Sequence, residues 1–362
     1  MKPTRPLSAS LPASSSLSGS QSRRRHLATL SAGLAGLLAG TREVMGETTA
    51  AAPKGLLLVT NKGDQTLSII DPVLGKQIAT VNENGNTGHE LSASLDGKYA
   101  YVPIYGDSGV GKPGTDGQLM RVIDLAKREI VNTLDFGKGV RPHCAVTCAK
   151  TGLLYVTIEL DNAVAVIDPA TLKVIGNIPT GHPESHMLAV NNAGTIGYTA
   201  NVSTGTVSVL DLKEKKLTTV IEVAKRTQRI SVSPDDKWAF TSDQVEQRLV
   251  VINTATNKVE KYIDLPDYGY GTACTPDGKK LVIALPNSMR VAELDLETWK
   301  LGRMVEVPKS PQYVLMRPDG AVAYVSCDAS AKVAAINVKD WTVEKLIDAG
   351  KTADGLAWAP VA

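Results

Sequence analysis

Apolar and polar residues alternate along this chain in short runs, and the runs return as a group about every 42 residues, seven times. The clearest copies are Leu153–Asp168, Ile196–Asp211, Lys237–Asn253 and Ala321–Asn337. One equivalent position per copy falls at Val59, Val102, Val156, Thr199, Thr241, Ile283 and Val325, with gaps of 43, 54, 43, 42, 42 and 42 residues. Alternation with period two predicts strands, and a repeat of ~40–45 residues built from short strands predicts a β-propeller. The fold expected is all-β: a seven-bladed propeller of four-stranded antiparallel blades.

Each copy follows one script: an inner strand, a tight turn, a second strand, a polar loop, a third strand ending in Asp or Asn, and an edge strand. The turns stand at Asp96-Gly97, Thr151-Gly152, Ala193-Gly194, Asp235-Asp236, Asp277-Gly278 and Asp319-Gly320. Glycine there admits positive φ without a steric penalty. The first copy has strands at Leu56–Asn61, Thr66–Asp71 and Gln77–Val81 but no inner strand before them. The segment Asp354–Pro360 resembles an unpartnered inner strand, so the C-terminal strand is expected to complete the N-terminal blade and remove an open sheet edge.

The first fifty residues stand outside the repeat. Arg23-Arg24-Arg25 precedes an apolar stretch, Leu27–Ala39, too short to span a bilayer. Residues 1–52 are therefore expected to be a twin-arginine-like export signal and linker, with cleavage at Ala50-Ala51-Ala52 or near Gly40, and residues 53–362 the propeller. The expected location is the periplasm or outside the cell, with no transmembrane segment in the mature chain. Export changes the charge balance. Residues 1–40 hold five cations and no carboxylate, so their removal turns the +2 of the full chain into about −3. No basic stripe remains, and nucleic-acid binding is not expected. A monomer is. With aromatics at 4% the core must be built from Val, Ile, Leu and Ala. Cys144 and Cys148 lie four residues apart on one strand, ~13 Å, too far for a disulfide. No second pair completes a zinc knot; Cys144, Cys148, Cys274 and Cys327 are expected to be buried thiols.

Val59-Thr60-Asn61, Tyr155-Val156-Thr157-Ile158, Tyr198-Thr199-Ala200-Asn201 and the recurring S/T-P-D turns resemble the YVTN-repeat propellers, over essentially residues 55–360. Similar propellers include lactonase-like and muconate-lactonising enzymes, haem d1 domains, amine dehydrogenase heavy chains and the propeller of nitrous oxide reductase. Fold alone does not choose among them. A copper cluster of the last kind needs seven histidines, and this chain has five.

The resemblance implies that each inner strand opens with a P-H-G-like segment at the mouth of the central channel. Aligned to it, the blades offer Asp354, His89, His143, His186, Gln228, Tyr270 and Gln312. The expected ligand-binding set is His89, Glu90, His143, His186, Arg229, Tyr270, Gln312 and Asp354. His89, His143 and His186 occupy one position on three consecutive blades. Three imidazoles with an open fourth position suit a divalent metal ion; a metal-free ligand pocket and purely structural histidines are the alternatives.

The one long interval is an insertion between the second and third strands of blade two, Tyr105–Gly117, and it should overhang that mouth. Gly106–Lys112 matches the start of a phosphate loop, but Pro113 stands where Ser or Thr is needed and no helix follows, so nucleotide hydrolysis is rejected. Equivalent loops bring Glu159, Asp161, Asn201, Asp243, Glu246, Asn287 and Asp328 to the same face, with Arg141, Lys225 and Arg226 near. The reading is an exported propeller binding a small oxygen-rich ligand. The rivals are a lactonase- or lyase-like enzyme with His143 as base and Arg229 as oxyanion cation, and a scaffold for a periplasmic protein partner.

Overall fold

The computed structural model describes residues 52–361. They form seven four-stranded antiparallel sheets. Blade one consists of Ala353–Pro360, Gly55–Asn61, Thr66–Asp71 and Lys76–Asn82, from the channel outwards. The inner strands of blades two to seven are Ser92–Ala93, Pro142–Thr147, Ser185–Val190, Ser231–Val232, Thr272–Cys274 and Pro311–Met316. Each packs against the next, and that of blade seven against that of blade one, so the ring closes. Closure is as the sequence predicts: Ala353–Pro360 pairs antiparallel with Gly55–Asn61.

Second and third strands are buried runs because neighbouring blades cover both their faces. Along Leu57-Leu58-Val59, Leu58 packs with Val102 and Ile104 of blade two, while Leu57 and Val59 pack with Val322 and Tyr324 of blade seven. Fourth strands are largely exposed, as at an outer edge, and Lys258–Asp264 alternates exposed and half-buried residues throughout. The core is aliphatic, with one recurrent aromatic: Tyr101, Tyr155, Tyr198, Phe240 and Tyr324 occupy the same repeat position and are all buried. The Asn that ends this motif ties strands together. Asn61 donates to the Ser68 hydroxyl and Asn201 to that of Ser208, both at 2.8 Å. At the tight turns Gly97, Gly152, Gly194, Gly278 and Gly320 all take positive φ, and Asp236 takes the same conformation at 59°.

All four cysteines are free thiols, and Cys148 falls one residue beyond its strand. The export segment, read over residues 1–52, lies outside the described residues but for Ala52. Among the described residues no helix is long and apolar enough to cross a membrane.

Candidate functional site

Inner strands begin, and second strands end, on one face of the ring. The side chains there are aimed by β-bulges. Register breaks between Pro142 and Ala145, between Ser185 and Met187, between Pro311 and Val314, and on blade one opposite Val59 to Asn61. The residues inside these breaks are His143 with Cys144, His186, Gln312 with Tyr313, and Asp354 with Gly355. A bulge leaves a residue unpaired and re-aims it.

The structure brings the three histidines together. The rings of His143 and His186 stack with centroids 3.5 Å apart and 29° between planes, and His89 meets His143 edge-on at 5.3 Å. Tyr105, at the end of the second strand of blade two, touches all three rings at 4.7 to 5.8 Å. The Tyr105 hydroxyl donates to the Glu159 carboxylate at 3.0 Å, and Glu159 also receives the Nδ1 proton of His186 at 3.0 Å. His143 donates its Nδ1 proton to the carbonyl of His186 at 3.2 Å. A carbonyl and a carboxylate can only accept, so Nδ1 is the protonated nitrogen on His143 and the donor on His186. Burial, reinforced by His186 and His89, drives the His143 pKa well below the usual imidazole range. Burial together with the Lys62 cation brings His89 down to about 3. Both are neutral at pH 7. Only His89 keeps a partly exposed edge; His143 and His186 are each 2% exposed.

Beside this cluster lies a buried ion network. Arg229 reaches across the channel from blade five to bond Glu90 of blade two and Asp354 of blade one, the latter at 2.7 Å. Lys62 bonds Asp354 at 2.9 Å and Asp328 at 3.4 Å. The guanidinium stacks over the rings of Tyr270 and Tyr313 at 4.9 and 5.3 Å. Burial pushes Glu90 up to about 8 against the pull of Arg229. The same burial is overcome at Asp354, where Lys62 and Arg229 hold the carboxyl far below its ordinary value. Asp354 is therefore the more acidic of the two carboxyls.

The mouth divides in two. Over blades two to four the insertion bends inward: Arg141 donates to the Lys112 carbonyl at 2.8 Å and to Asp116 at 2.5 Å. The backbone at Gly111 lies so close to blade four that a Cβ there would sit 2.6 Å from the Glu184 carboxylate. The expected overhang is present, and a strand, Asp116–Asp124, follows it rather than a helix. Over blades five to seven the mouth is a cavity of about 410 Å³ lined by Arg226, Gln228, Gln244, Val245, Tyr268, Tyr270 and Gln312. Among the described residues the side-chain amides of Gln228 and Gln244, the hydroxyls of Tyr268 and Tyr270, and the Arg226 guanidinium have no hydrogen-bond partner, whereas Gln312 donates to Ser310 at 2.9 Å.

A model of the family described as a domain of unknown function (DUF5074) matches residues 124–336, more than half of the chain. The chain belongs to this family. That match is not to a YVTN-repeat model, so the YVTN resemblance rests on the repeat residues alone. Antigen Lp49 of Leptospira interrogans serogroup Icterohaemorrhagiae serovar copenhageni (strain Fiocruz L1-130) is 27% identical over 126 residues, covering 31% of this chain and 27% of the antigen. The chain thus matches little more than a quarter of that relative's length. Among solved structures, hydrazine synthase of Kuenenia stuttgartiensis superposes with a TM-score of 0.68 at 19% identity, over 84% of this chain and 99% of that one. At that identity the likeness shows the fold.

Among the described residues no group of three His, Cys, Asp or Glu side chains is arranged to hold a metal ion. Two of the three imidazoles instead stack face to face. The rim residues expected from the sequence also sort apart. Asn201 and Asp243 are fully buried, Arg141 is buried against the insertion, and Lys225 pairs with Glu246 at the surface.

Sequence reasoning missed Tyr105 and Lys62 and left Glu159 as one rim acid among several. The signal was available. Three residues past each repeat marker stand Lys62, Tyr105, Glu159, Val202, Gln244, Pro286 and Asp328, a second ring at the end of the second strands. Five of the seven take part in the mouth.

Proposed function

We propose that this protein is an exported propeller that binds a small oxygen-rich ligand at the channel mouth, over blades five to seven. The observation that carries the reading is the 410 Å³ cavity in which two glutamine amides, two tyrosine hydroxyls and a guanidinium lack protein partners. Cavities of this size suit small molecules, and convergent amides and hydroxyls match ligand hydroxyl and carbonyl groups. In this reading His89, His143 and His186 with Tyr105 form the wall beside the ligand, Arg229 and Asp354 the floor, and the insertion a cover. The twin-arginine-like segment supports a periplasmic site of action.

Titration of the mature protein with a panel of hydroxy acids and sugar lactones, followed by heat of binding, tests the reading. At least one compound should bind the wild type and lose about tenfold or more in affinity to Tyr270→Ala or Gln244→Ala. A panel without binders, or binding indifferent to both replacements, would overturn it.

A lactonase-like second reading is favoured by the Glu159–His186 pair. A carboxylate that orients an imidazole through Nδ1 leaves Nε2 to act as a base. The base would then be His186 and not His143, whose Nδ1 faces only a carbonyl. Lactone opening by the wild type, abolished in His186→Asn with the fold intact, distinguishes turnover from binding.

A further inference from the structure

Beyond Arg229 the channel continues towards the other face as a separate space. A cavity of about 390 Å³ runs from Arg229, Met187 and Tyr313 to the turn residues Asn192 and Pro234. Its wall takes one apolar residue from each of five blades: Val146, Ala189, Val232, Ala273 and Leu315. All five are half-exposed, in contrast to the fully buried aliphatic residues between blades. Half-exposed apolar side chains around a concave space lose contact with water when an apolar molecule enters, at roughly 25 cal/mol per Å² removed.

Apart from the Tyr313 hydroxyl at the inner end, the polar side chains of this wall are already paired within the protein. The hydroxyls of Ser231 and Thr272 bond at 2.6 Å, and Asn192 donates to the Ser233 carbonyl at 3.0 Å and to Asp236 at 2.8 Å. At the inner end the balance differs. The Nε of Arg229 is buried without a partner among the described residues. A buried donor left unmade is costly, so an acceptor arriving there gains a hydrogen bond that the protein does not supply. The charge of Arg229, by contrast, is already met: three carboxyl groups, Glu90, Asp354 and Asp328, face Arg229 and Lys62. A further carboxylate would find no unpaired cation here. The vacant interaction is a hydrogen bond and not an ion pair.

We propose that the lower channel is a second binding site, for a small uncharged apolar molecule with one hydrogen-bond acceptor, such as a ketone or ester. It stands independently of the mouth site, from which the Arg229–Asp354 pair separates it. Chain length is limited by the cavity, and selectivity lies in the contrast between a carbonyl and a carboxylate on the same hydrocarbon.

The experiment uses the mature protein with methyl-labelled methionine, since Met187 and Met316 both line the cavity. Titration with 2-octanone should shift both methyl resonances saturably, and octanoate should bind about tenfold more weakly or not at all. Ala189→Trp, which fills the wall, should abolish the ketone response; Ala273→Phe serves the same purpose should the tryptophan variant fail to fold. Heat of binding at the mouth should be unaltered in a folded wall variant. An absence of saturable methyl shifts with 2-octanone, equal affinity for octanoate, or a response that survives the wall replacement would each overturn the proposal.

Discussion

His186 donates its Nδ1 proton to Glu159 at 3.0 Å, in a position where each residue is 2% exposed. Glu159 comes from the loop between the second and third strands of blade three, and His186 from the inner strand of blade four, so this bond staples neighbouring blades. Tyr105 of blade two donates to the same carboxylate. Glu159→Gln should cost about 2 kcal/mol, because it replaces a carboxylate that serves both donors by a neutral carboxamide, which accepts more weakly and whose nitrogen cannot accept. Tyr105→Phe should cost about 1 kcal/mol. Since both replacements act on one acceptor, the double variant should cost less than the sum, which a urea double-mutant cycle measures directly.

Asp354 and Glu90 both contact Arg229, but they should differ sharply on neutralisation. Asp354 is ionised and serves two cations; Asp354→Asn leaves Arg229 and Lys62 undercompensated and should cost about 3–5 kcal/mol. Glu90, whose carboxyl burial pushes up while Lys62 and Arg229 hold that of Asp354 down, is the less acidic of the two, and Glu90→Gln should cost clearly less than Asp354→Asn. Equal costs at pH 7 would refute this ranking.

Glu83 supplies a pH test. It is fully buried, accepts the Gly88 amide proton at 2.8 Å on one oxygen, and has no partner for the other. Burial raises its pKa to about 7 from 4.5. A carboxyl whose folded pKa lies above its unfolded one destabilises the fold increasingly as pH rises between the two values. Glu83→Gln should therefore match the wild type near pH 5 and exceed it at pH 8 by on the order of 1 kcal/mol. Urea denaturation at the two pH values reads the difference, to which carboxylates shared by both proteins contribute nothing.

Metal content is the remaining test at the mouth. With the rings of His143 and His186 stacked and, among the described residues, no group of three His, Cys, Asp or Glu arranged to hold a metal ion, mature protein purified without a histidine tag should carry no stoichiometric divalent metal by elemental analysis. One equivalent that disappears when His89, His143 and His186 are replaced by alanine would restore the three-histidine metal site.

The repeat made the fold legible because blade geometry rests on period-two burial and on turn glycines, both visible residue by residue. Closure was legible for the same reason: Asp354–Pro360 is an inner strand without a blade of its own. The same ruler located His143, His186, Asp354 and Gln312, whose placement follows from bulges at equivalent positions. It did not show that His143 would stack on His186, or that Arg229 would lie across the channel instead of at the rim. Those outcomes depend on distances across the ring, between residues up to 139 apart in sequence. Tyr105 escaped notice because it was read as part of the insertion, although it belongs to the strand that precedes it.

Removal of residues 353–362 should abolish a cooperative thermal transition or lower its midpoint by at least ~10 °C, since it deletes the inner strand of blade one together with Asp354. A truncated protein that melts like the intact one would show that closure contributes little.

The final strand carries a further implication for how the molecule comes into being. Gly355 bonds the His89 carbonyl at 2.9 Å, and Asp354 is the counter-charge of both buried cations. During synthesis the first blade waits, with an open edge, until Ala353–Pro360 has been made. A chain interrupted before that strand lacks both its closing strand and the carboxylate that faces Arg229 and Lys62. Closure of the ring and assembly of the mouth are thus one event.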